Sequence, residues 1–562
     1  MQRPDSGRGG LAVAEIILIS PRFHPTYWGL DYALPLFRKR ALLPPLNLAL
    51  LAGLTPPEHS VSIIDENVEE IDYERCRRAD IVGLTGMGVQ RERMREVIIE
   101  LKRRGIFTVV GGPWATVSPE DLAPLVDVIF IGEAEETWPR FLAEWSEGRQ
   151  QSRYEQADKT DMATVPPPRL GLLKMEKYLY GSLQVSRGCP FTCEFCDIIV
   201  VFGRRPRVKT VAQVIAELEG LVAAGMHDAF IVDDNLIGNK KAIKAILREI
   251  IAWQEAHGYP LSLVTEASID LAEDEELMRL MVEANLDTVF VGIESPNEEA
   301  LRETKKIQNL TDRSGTALEK VHRIQDAGLM VTCGMIVGFD CDDESVFEAQ
   351  RQFVHEARIG LAMVNILCAI PQTPLFNRLS AAGRLVEGDA MNMHSAFAVS
   401  NVVPLKMSRQ TLYEGYLKLM RSLYTVDAFF SRIDAVCLGA RWLPATGRTR
   451  HLRHHRYRWL KLRAWAGVET VYLVVQLMRR IPDRALRRDY RRRLWNVLKH
   501  RPNIRLLRFY CLACAMHFHY DRLIGQMEAA DAAAVPMAGP DNAGLIAEMP
   551  PHAREPARAA AG

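Results

Sequence analysis

The sequence has no net charge and no long uninterrupted apolar run. Lys plus Arg and Asp plus Glu each number 70 in the 562 residues, so the chain as a whole has no charge excess that would favour nucleic acid. No stretch reaches the roughly 18 apolar residues that a membrane-spanning helix requires. The apolar run near the N-terminus contains Glu15 and lacks a small-residue cleavage site, which argues against a secretory signal. We therefore expect a cytoplasmic protein that does not bind nucleic acid.

Cysteine is scarce, and the ten cysteines are unevenly spaced. In a chain without a secretory signal, this pattern argues against a disulfide framework and for reduced thiols, some of which can be metal ligands. The remaining composition, 48% hydrophobic and 25% charged, is that of a globular protein. At about 150 residues per domain, the length predicts several domains.

Residues 1–150 are predicted to form a doubly wound α/β domain. Five short β-rich runs alternate there with helical patterns: EIILIS, SVSIID, DIVGLT, FTVVGG and DVIFIG. Such runs are typical of a parallel sheet covered by helices on both faces, which binds ligands at its carboxyl edge. Prolines at 166–168 then interrupt the pattern, because proline neither donates ladder hydrogen bonds nor continues a helix. Residues 151–174 are therefore assigned to a linker.

Residues 175–385 are predicted to form a (βα)6 partial barrel. Six strand-like runs alternate with amphipathic helices, and they begin near Ser182, Ala229, Leu261, Asp287, Met330 and Ala362. In such barrels the chemistry gathers at the carboxyl ends of the strands. Several polar residues follow strands here: Asp233, Asp234, Asn235, Glu266, Glu294, Ser295 and Asp340. Asp233 to Asn235 could equally well cap a helix, and Glu266 is similarly ambiguous.

Residues 386–528 are predicted to be helical and basic, and residues 529–562, rich in Ala, Pro and Gly, to be disordered. Between 441 and 510 the chain has 20 Lys or Arg and only three acidic residues. Arginines interleaved with Trp, Tyr and Leu fit either amphipathic helices on an anionic membrane or a solvated helical subdomain, with RNA binding as a lesser third option. Cys511, Cys514, His517 and His519 could form a metal site, but their spacing equally fits one apolar helical run.

The most informative segment is SRGCPFTCEFCDI, which places Cys189, Cys193 and Cys196 in a C-x3-C-x2-C array after the first barrel strand. Three closely spaced cysteines can bind three irons of a four-iron cluster and leave one coordination site open. A zinc site is the alternative, but zinc requires a fourth Cys or His, and the next histidine is His227.

This array, on the loop after the first strand of a six-unit βα barrel, resembles the radical SAM superfamily. The resemblance implies that Cys189, Cys193 and Cys196 hold a 4Fe-4S cluster whose free iron binds S-adenosylmethionine (SAM). It further implies SAM contacts from the residues that match the family's motifs: Phe195, Glu294, Ser295, Gly334 and Gly338. A 5′-deoxyadenosyl radical then removes a hydrogen atom from an unactivated carbon, so no acid-base residue is predicted to be catalytic.

The first domain resembles the cobalamin-binding domain of cobalamin-dependent radical SAM enzymes. Glycines at two strand ends, Gly86, Gly111 and Gly112, match positions where backbone lies close to a bulky ligand. Many cobalamin domains have D-x-H-x-x-G after the first strand, with the His as lower cobalt ligand. This chain has no such motif. His24 stands in the corresponding loop without the carboxylate, and we do not expect it to bind cobalt.

The phrases PRFHPTYWGLDYALPL, IIDENVEEID and IVDDNLIGNKKA, together with the cysteine segment, are similar to the group containing bacterial hopanoid C-2 methylase, from about residue 15 to past 385. The resemblance implies methylation of an unactivated carbon of a lipid-like, hopanoid-type substrate through methylcobalamin. The alternatives are a radical rearrangement, cyclisation or oxidation with the same cofactors, and a cobalamin-responsive sensor without turnover. An electron donor such as flavodoxin or ferredoxin and peripheral membrane contact through the basic region are the further expected partners.

Overall fold

The computed structural model describes residues 13–311, 314–386, 400–439 and 447–533. Its N-terminal part is a six-stranded parallel sheet with the strand order β2-β1-β3-β4-β5-β6. The strands are β1 (Glu15–Ser20), β2 (Ser60–Asp65), β3 (Ile81–Thr85), β4 (Thr108–Gly111), β5 (Val128–Ile131) and β6 (Arg153–Glu155). The crossover helices are α1 (Leu46–Leu54), α2 (Tyr73–Cys76), α3 (Arg91–Arg103), α4 (Pro113–Val117), α5 (Pro119–Leu122) and α6 (Thr137–Ser146). The predicted doubly wound domain is confirmed.

The segment predicted as a linker differs from that prediction, because it contributes β6 to the sheet edge. Tyr154 in β6 is fully buried and stacks on Phe130, with 5.3 Å between the ring centroids. Leu170 and Met175, beyond the prolines, are also buried. A strand of three residues is too short to show a period of two, so the sequence pattern does not reveal it.

The second sheet is also wholly parallel, with the order β14-β13-β12-β11-β10-β7. The strands of this part are β7 (Gly181–Leu183), β8 (Ser186–Arg187), β9 (Arg207–Val208), β10 (Asp228–Ile231), β11 (Ser262–Ala267), β12 (Leu286–Glu294), β13 (Met330–Val337) and β14 (Ala362–Ile366). Strands β8 and β9 form a separate antiparallel ribbon. The six main strands are those expected of the partial barrel, whereas the ribbon was not expected.

Helices cover the second sheet and connect its strands. They are α7 (Ile198–Val201), α8 (Val211–Ala223), α9 (Lys240–His257), α10 (Glu275–Glu283), α11 (Glu298–Glu303), α12 (Ala317–Asp326), α13 (Ser345–Glu356) and α14 (Pro374–Ala381). Capping side chains fix their starts: Thr210 accepts from the Gln213 amide, and Asp274 accepts from the Leu277 amide. Each cap satisfies backbone donors that a helix leaves free, so each crossover helix begins at a defined residue.

The C-terminal part is helical, as predicted. Its helices are α15 (Arg409–Leu423), α16 (Val426–Cys437), α17 (Gly447–His454), α18 (Arg456–Arg480), α19 (Arg484–His500) and α20 (Ile504–Ala533). Helix α20 packs against α15, α18 and α19 and continues past residue 528, so the helical region ends later than expected. The remainder of the predicted disordered tail lies outside the described residues. Within the described ranges, no helix has the length and apolarity needed to cross a membrane.

Contacts from α15 and α20 fasten the loop after β1 to the barrel. Tyr27, in that loop, stacks on Tyr520 with 5.8 Å between ring centroids, and its hydroxyl bonds to that of Tyr416. The Tyr424 hydroxyl, at the end of α15, donates to the Ala362 carbonyl at the start of β14. The helical region therefore helps to hold the first domain in place beside the barrel.

Candidate cofactor site

The cysteine array begins directly after β8, on a loop that the β8–β9 ribbon closes. Gly188 has φ of +92°, and a Cβ there would lie 2.8 Å from the Arg205 carbonyl and 3.0 Å from that of Gly203. The Cys189 amide donates to the Gly203 carbonyl at 3.2 Å. Gly188 is therefore required twice, by its backbone conformation and by the close approach of the neighbouring chain.

The three cysteine side chains lie in one neighbourhood. Cys193 is buried, whereas Cys189 and Cys196 are partly exposed, and the electrostatic influence of Cys193 reaches both of the other thiols. The Asn235 side-chain amide points at Cys189 Sγ across 3.8 Å, and that of Gln308 at Cys193 Sγ across 3.5 Å. Burial raises the pKa of Cys189 and Cys196 in the free protein, so metal binding must displace their protons.

Among the described residues, no three or more His, Cys, Asp or Glu side chains come close enough to hold one metal ion. In a four-iron cluster each cysteine would bind a different iron, so the three side chains need not meet at one metal ion.

Carboxylates after β10 hold the cysteine loop in position. Asp233 accepts from the Val185 and Ser186 amides, both at 2.7 Å, and Asp234 accepts from the Gly188 amide at 2.8 Å. Burial raises the pKa of Asp233 to about 7 against these hydrogen bonds, which lower it. The helix-capping interpretation of these aspartates is wrong, because their oxygens bind the loop rather than a helix start.

Glu294 lies at the end of β12 with an unusual backbone conformation. Its φ is +65°, and the register with β13 shifts between Gly292 and Glu294. Its carboxylate binds the Lys306 ammonium at 2.8 Å. Left-handed backbone in a residue other than glycine is costly and is typical of functional sites. At this strand end the carboxylate of Glu294 points toward Lys306.

Lys306 places a buried positive charge beside the cysteines. Burial lowers its pKa, but the negative charges of Glu294 and Cys193 outweigh burial, so the pKa is raised overall. Its Nζ lies 5.8 Å from the centroid of the Phe195 ring, and Phe195 is 6.3 Å from Phe339 between centroids. Neither Lys306 nor Gln308 was predicted as a site residue, since they lie in an irregular loop after α11 with no motif of their own.

Ser295, Gly334 and Gly338, which are also predicted to contact SAM, each lie against another residue of the protein. The fully buried Ser295 hydroxyl accepts from the Asn297 amide at 3.1 Å. A Cβ at Gly334 would lie 3.0 Å from the ring of Phe290. Gly338 has φ of +104° and packs on Leu412. Their contact with SAM stays a prediction.

The carboxyl edge of the first sheet faces the cysteine loop. Glu133, just after β5, bonds to Arg187 at 3.0 Å and to Arg207 at 2.9 Å, and both arginines are in the β8–β9 ribbon. Glu135 adds a second bond to Arg187 at 2.6 Å. Burial raises the pKa of Glu133, but the hydrogen bond from Arg207 and both arginine charges lower it more. The two edges predicted to bind cofactors therefore lie against each other.

The predicted cobalamin glycines lie at this edge and pack closely. A Cβ at Gly112, which has φ of +95°, would lie 2.2 Å from Thr85 Oγ1. A Cβ at Gly111 would lie 3.2 Å from the Phe130 Cβ, and one at Gly86 would lie 2.6 Å from Met94 Sδ. Internal packing alone explains these glycines, so their contact with cobalamin stays a prediction.

Two apolar side chains stand exposed near this edge. Met87, two residues after β3, is 47% exposed, and Trp28, in the loop after β1, is 38% exposed. Trp28 lies 4.7 Å from Phe290 of the barrel between ring centroids. An apolar face of a large cofactor can cover such groups, so the edge fits a corrin. His24 is exposed in the same loop.

The histidines of α20 do not form a metal site. His517 bonds to the Tyr490 hydroxyl and the Tyr424 carbonyl, and His519 bonds to the Thr26 carbonyl and the Tyr32 amide. Both ring nitrogens of each histidine are therefore occupied. The interpretation as an apolar helical run is correct.

Three family models match consecutive parts of the chain. The B12 binding domain matches residues 40–142, the radical SAM superfamily matches residues 183–352, and a domain of unknown function (DUF4070) matches residues 373–532. The two cofactor-binding models thus fall on the two sheets that meet at Glu133.

Two relatives are similar along most of their length. An uncharacterized methyltransferase of Synechocystis sp. is 38% identical over 418 residues, which cover 74% of this chain and 77% of that protein. The hopanoid C-2 methylase of Rhodopseudomonas palustris is 33% identical over 413 residues, which cover 72% and 78%. The chain belongs to the cobalamin-binding radical SAM methyltransferases.

A solved structure supports the fold of this radical SAM methyltransferase. The radical S-adenosylmethionine methyltransferase TsrM from Kitasatospora setae, with cobalamin and a [4Fe-4S] cluster bound, superposes with a TM-score of 0.53 at 19% identity. The alignment covers 67% of this chain and 80% of that one. The cofactors of the present radical SAM methyltransferase are a 4Fe-4S cluster, SAM and cobalamin.

Proposed function

We propose that this radical SAM methyltransferase methylates an unactivated carbon of a hopanoid-type lipid. The carrying observation is the similarity to the hopanoid C-2 methylase of Rhodopseudomonas palustris, which is 33% identical over 72% of this chain. The half-buried positions along β11 to β13 include the apolar side chains Val264, Phe290 and Ile336 beside polar ones such as Glu266 and Thr332. The apolar members can contact a large apolar substrate, and the polar members can bind polar groups of a cofactor.

We assign the cluster to Cys189, Cys193 and Cys196. Two features of the free protein fit this assignment: the Gln308 side-chain amide donates to Cys193 Sγ at 3.5 Å, and the Lys306 cation offsets the charge of thiolates. When bound, the cluster and SAM supply the one-electron chemistry that removes a hydrogen atom, and cobalamin supplies the methyl group. The protein positions these groups and excludes water.

The remaining residues are proposed to hold SAM and cobalamin. Glu294 presents a carboxylate that can accept from hydroxyl or amino groups, and Lys306 neutralises part of its charge. The other proposed SAM contacts are Phe195, Ser295, Gly334 and Gly338, and the proposed cobalamin contacts are Gly86, Gly111 and Gly112. We retain residues 1–150 as the cobalamin-binding domain, 175–385 as the radical SAM barrel and 386–528 as the helical region, with residues 151–174 as an ordered connection between the first two.

Two external partners belong to this proposal. Reduction of the cluster requires a one-electron donor such as flavodoxin or ferredoxin, and delivery of a lipid requires contact of the basic C-terminal region with a membrane surface. The charge of α19 supports the second partner, because Arg484, Arg488 and Arg491 are exposed on one face of that helix.

The test is incubation of the reduced, reconstituted enzyme with methyl-labelled SAM and a hopanoid. We expect label in the lipid together with formation of 5′-deoxyadenosine, both measured by mass spectrometry. Deoxyadenosine without a methylated lipid would favour a rearrangement, cyclisation or oxidation. Binding of cobalamin without any SAM consumption by protein with an intact cluster would favour a sensor.

A further inference from the structure

Helix α18 is apolar on two opposite faces. Its inner face packs on α20. Thr470, Leu473 and Leu477 lie on this face and are buried. The outer face also presents apolar side chains, and they are exposed: Leu460, Ala464, Val468, Val471 and Val475. A solvent-facing helix surface normally has charged and polar residues. We therefore expect another apolar surface to cover the outer face of α18.

We call these five residues the α18 stripe. Their spacing of four, four, three and four residues places them in one row along the helix. Val468 is 73% exposed and Val471 is 64% exposed, so half of each side chain or more is in contact with water. Trp465 flanks the row and is 50% exposed, although it also contacts His227.

Basic residues continue the surface from the end of the stripe. Arg479 and Arg480 are exposed in the last turn of α18, and a three-residue connection, 481–483, leads to α19. Along α19 the exposed face consists of Arg484, Arg488, Arg491, Trp495 and Leu498, at helical spacing. Trp495 is 69% exposed.

Most of the exposed large hydrophobic residues of the described chain belong to these two helices. The other six lie elsewhere in the chain: Trp28 and Met87 near the carboxyl edge of the first sheet, and Val13, Ile99, Val222 and Ile307 at separate places. Single exposed apolar residues are ordinary, whereas a continuous row beside arginines marks an interaction surface.

We propose that the α18 stripe docks the enzyme on an anionic lipid bilayer, with α18 lying in the plane of the interface. The row of valines enters the acyl boundary, and the arginines of α18 and α19 bind the phosphate groups, because this pairing of apolar and basic surface matches the two layers of a lipid leaflet. Trp465 and Trp495 suit the headgroup layer, where amphipathic rings are favoured. The proposal extends the proposed function, since it supplies the partner that a lipid substrate requires.

Vesicle sedimentation of the full chain tests the docking surface without substrate. We expect binding to vesicles of phosphatidylcholine and phosphatidylglycerol in equal parts, and about ten-fold weaker binding to phosphatidylcholine alone or at high salt. The double variant Val468→Glu, Val471→Glu should bind about ten-fold more weakly than wild type. The matched control is Ile99→Glu, which adds a charge at an exposed apolar helix residue of the first domain and should leave vesicle binding unchanged.

Three results would overturn the docking proposal. The wild type could fail to bind anionic vesicles, or the double variant could bind as well as Ile99→Glu. Sedimentation velocity could instead show a dimer that the double variant converts to monomer, which would make the stripe an interface between two copies. Circular dichroism of the double variant guards against misfolding, and the single variant Val471→Ser repeats the test with a milder change.

Methylation of a detergent-dispersed hopanoid separates this proposal from the proposed function. The double variant should methylate it as fast as wild type, since the stripe lies on the outer face of α18. Vesicle binding without methylation of any hopanoid would contradict the substrate proposal alone. Methylation in detergent without vesicle binding would contradict the docking proposal alone.

Discussion

The cysteine loop and the α18 stripe differ in which side chains are buried and which are exposed to water. At the loop, charged groups are buried and each has a partner: Glu133 with Arg187, Asp234 with the Gly188 amide, and Glu294 with Lys306. At the stripe, apolar groups such as Val468 are exposed to water. Buried charges fix a geometry and tolerate little change, whereas an exposed apolar row contributes little to the fold. The loop therefore serves the chemistry and the stripe serves a partner.

Replacing one cysteine of the loop should have the largest effect. In Cys193→Ala we expect loss of the cluster and of all SAM cleavage, because the remaining two thiols cannot hold four irons. The measurement is the iron–sulfur absorbance of the anaerobically purified variant. Cys437→Ala, a buried cysteine in α16, is the control and should keep both properties. A normal absorbance and normal turnover in Cys193→Ala would refute the cluster assignment.

Removing Glu133 should be the most destabilising change at the boundary between the two sheets. Glu133→Ala leaves Arg187 and Arg207 with reduced compensation in a buried site, which costs about 3–5 kcal/mol. Chemical denaturation measures this cost. Val468→Glu is the contrasting variant and should change the free energy of unfolding by no more than about 0.5 kcal/mol. Equal effects of the two variants would contradict the comparison between loop and stripe.

The Glu133 carboxylate also predicts a pH dependence. Its pKa in the folded protein is lowered, so its stabilising contribution is present above the pKa of the unfolded chain, about 4.3, and is lost as pH falls through the folded value. Stability of the wild type should therefore fall more steeply than that of Glu133→Ala on acidification below about pH 4. If the free energy of unfolding fell equally with pH in both proteins, protonation of Glu133 would not contribute to the loss of stability.

Replacing Lys306 should change the cluster rather than the fold. Lys306→Met removes a positive charge beside Cys193 and Cys196, so the reduction potential should become more negative. Potentiometric titration checks this shift. Lys241→Met is the matched control, because Lys241 is exposed on α9, outside the cysteine loop. An equal potential in Lys306→Met and wild type would contradict the electrostatic role of Lys306.

Glu266 should show the smallest effect. Burial, together with the charges of Asp234 and Asp233, raises its pKa to about 8, so the carboxyl is largely protonated at neutral pH. A raised carboxyl pKa costs the folded protein stability, and this cost grows as the pH rises from the pKa of the unfolded chain toward about 8. Glu266→Gln should therefore match wild type below about pH 4 and become progressively more stable than wild type as the pH rises from about 4 to 8. A destabilised variant at pH 6 would show that the carboxylate is needed.

The sequence was informative where chemistry lies in contiguous residues. The cysteine array, the position of Glu294 at a strand end and all six barrel strands could be predicted, because the motif is local and the strands repeat at regular intervals. Glu133, Lys306 and Gln308 could not, since each acts on the cysteine loop from a distant part of the chain. The α18 stripe is visible as a helical pattern, but its apolar residues are equally consistent with a buried face, and only the packing of α20 decides which face is covered.

The central claim is that three cysteines leave one iron open to SAM beside the cobalamin domain. Electron paramagnetic resonance of the reduced, anaerobically reconstituted enzyme, recorded with and without SAM, tests it directly. We predict a 4Fe-4S signal whose shape and g values change when SAM is added, because SAM binds the open iron. A signal that SAM does not alter, or a protein that contains zinc in place of iron, would contradict the account.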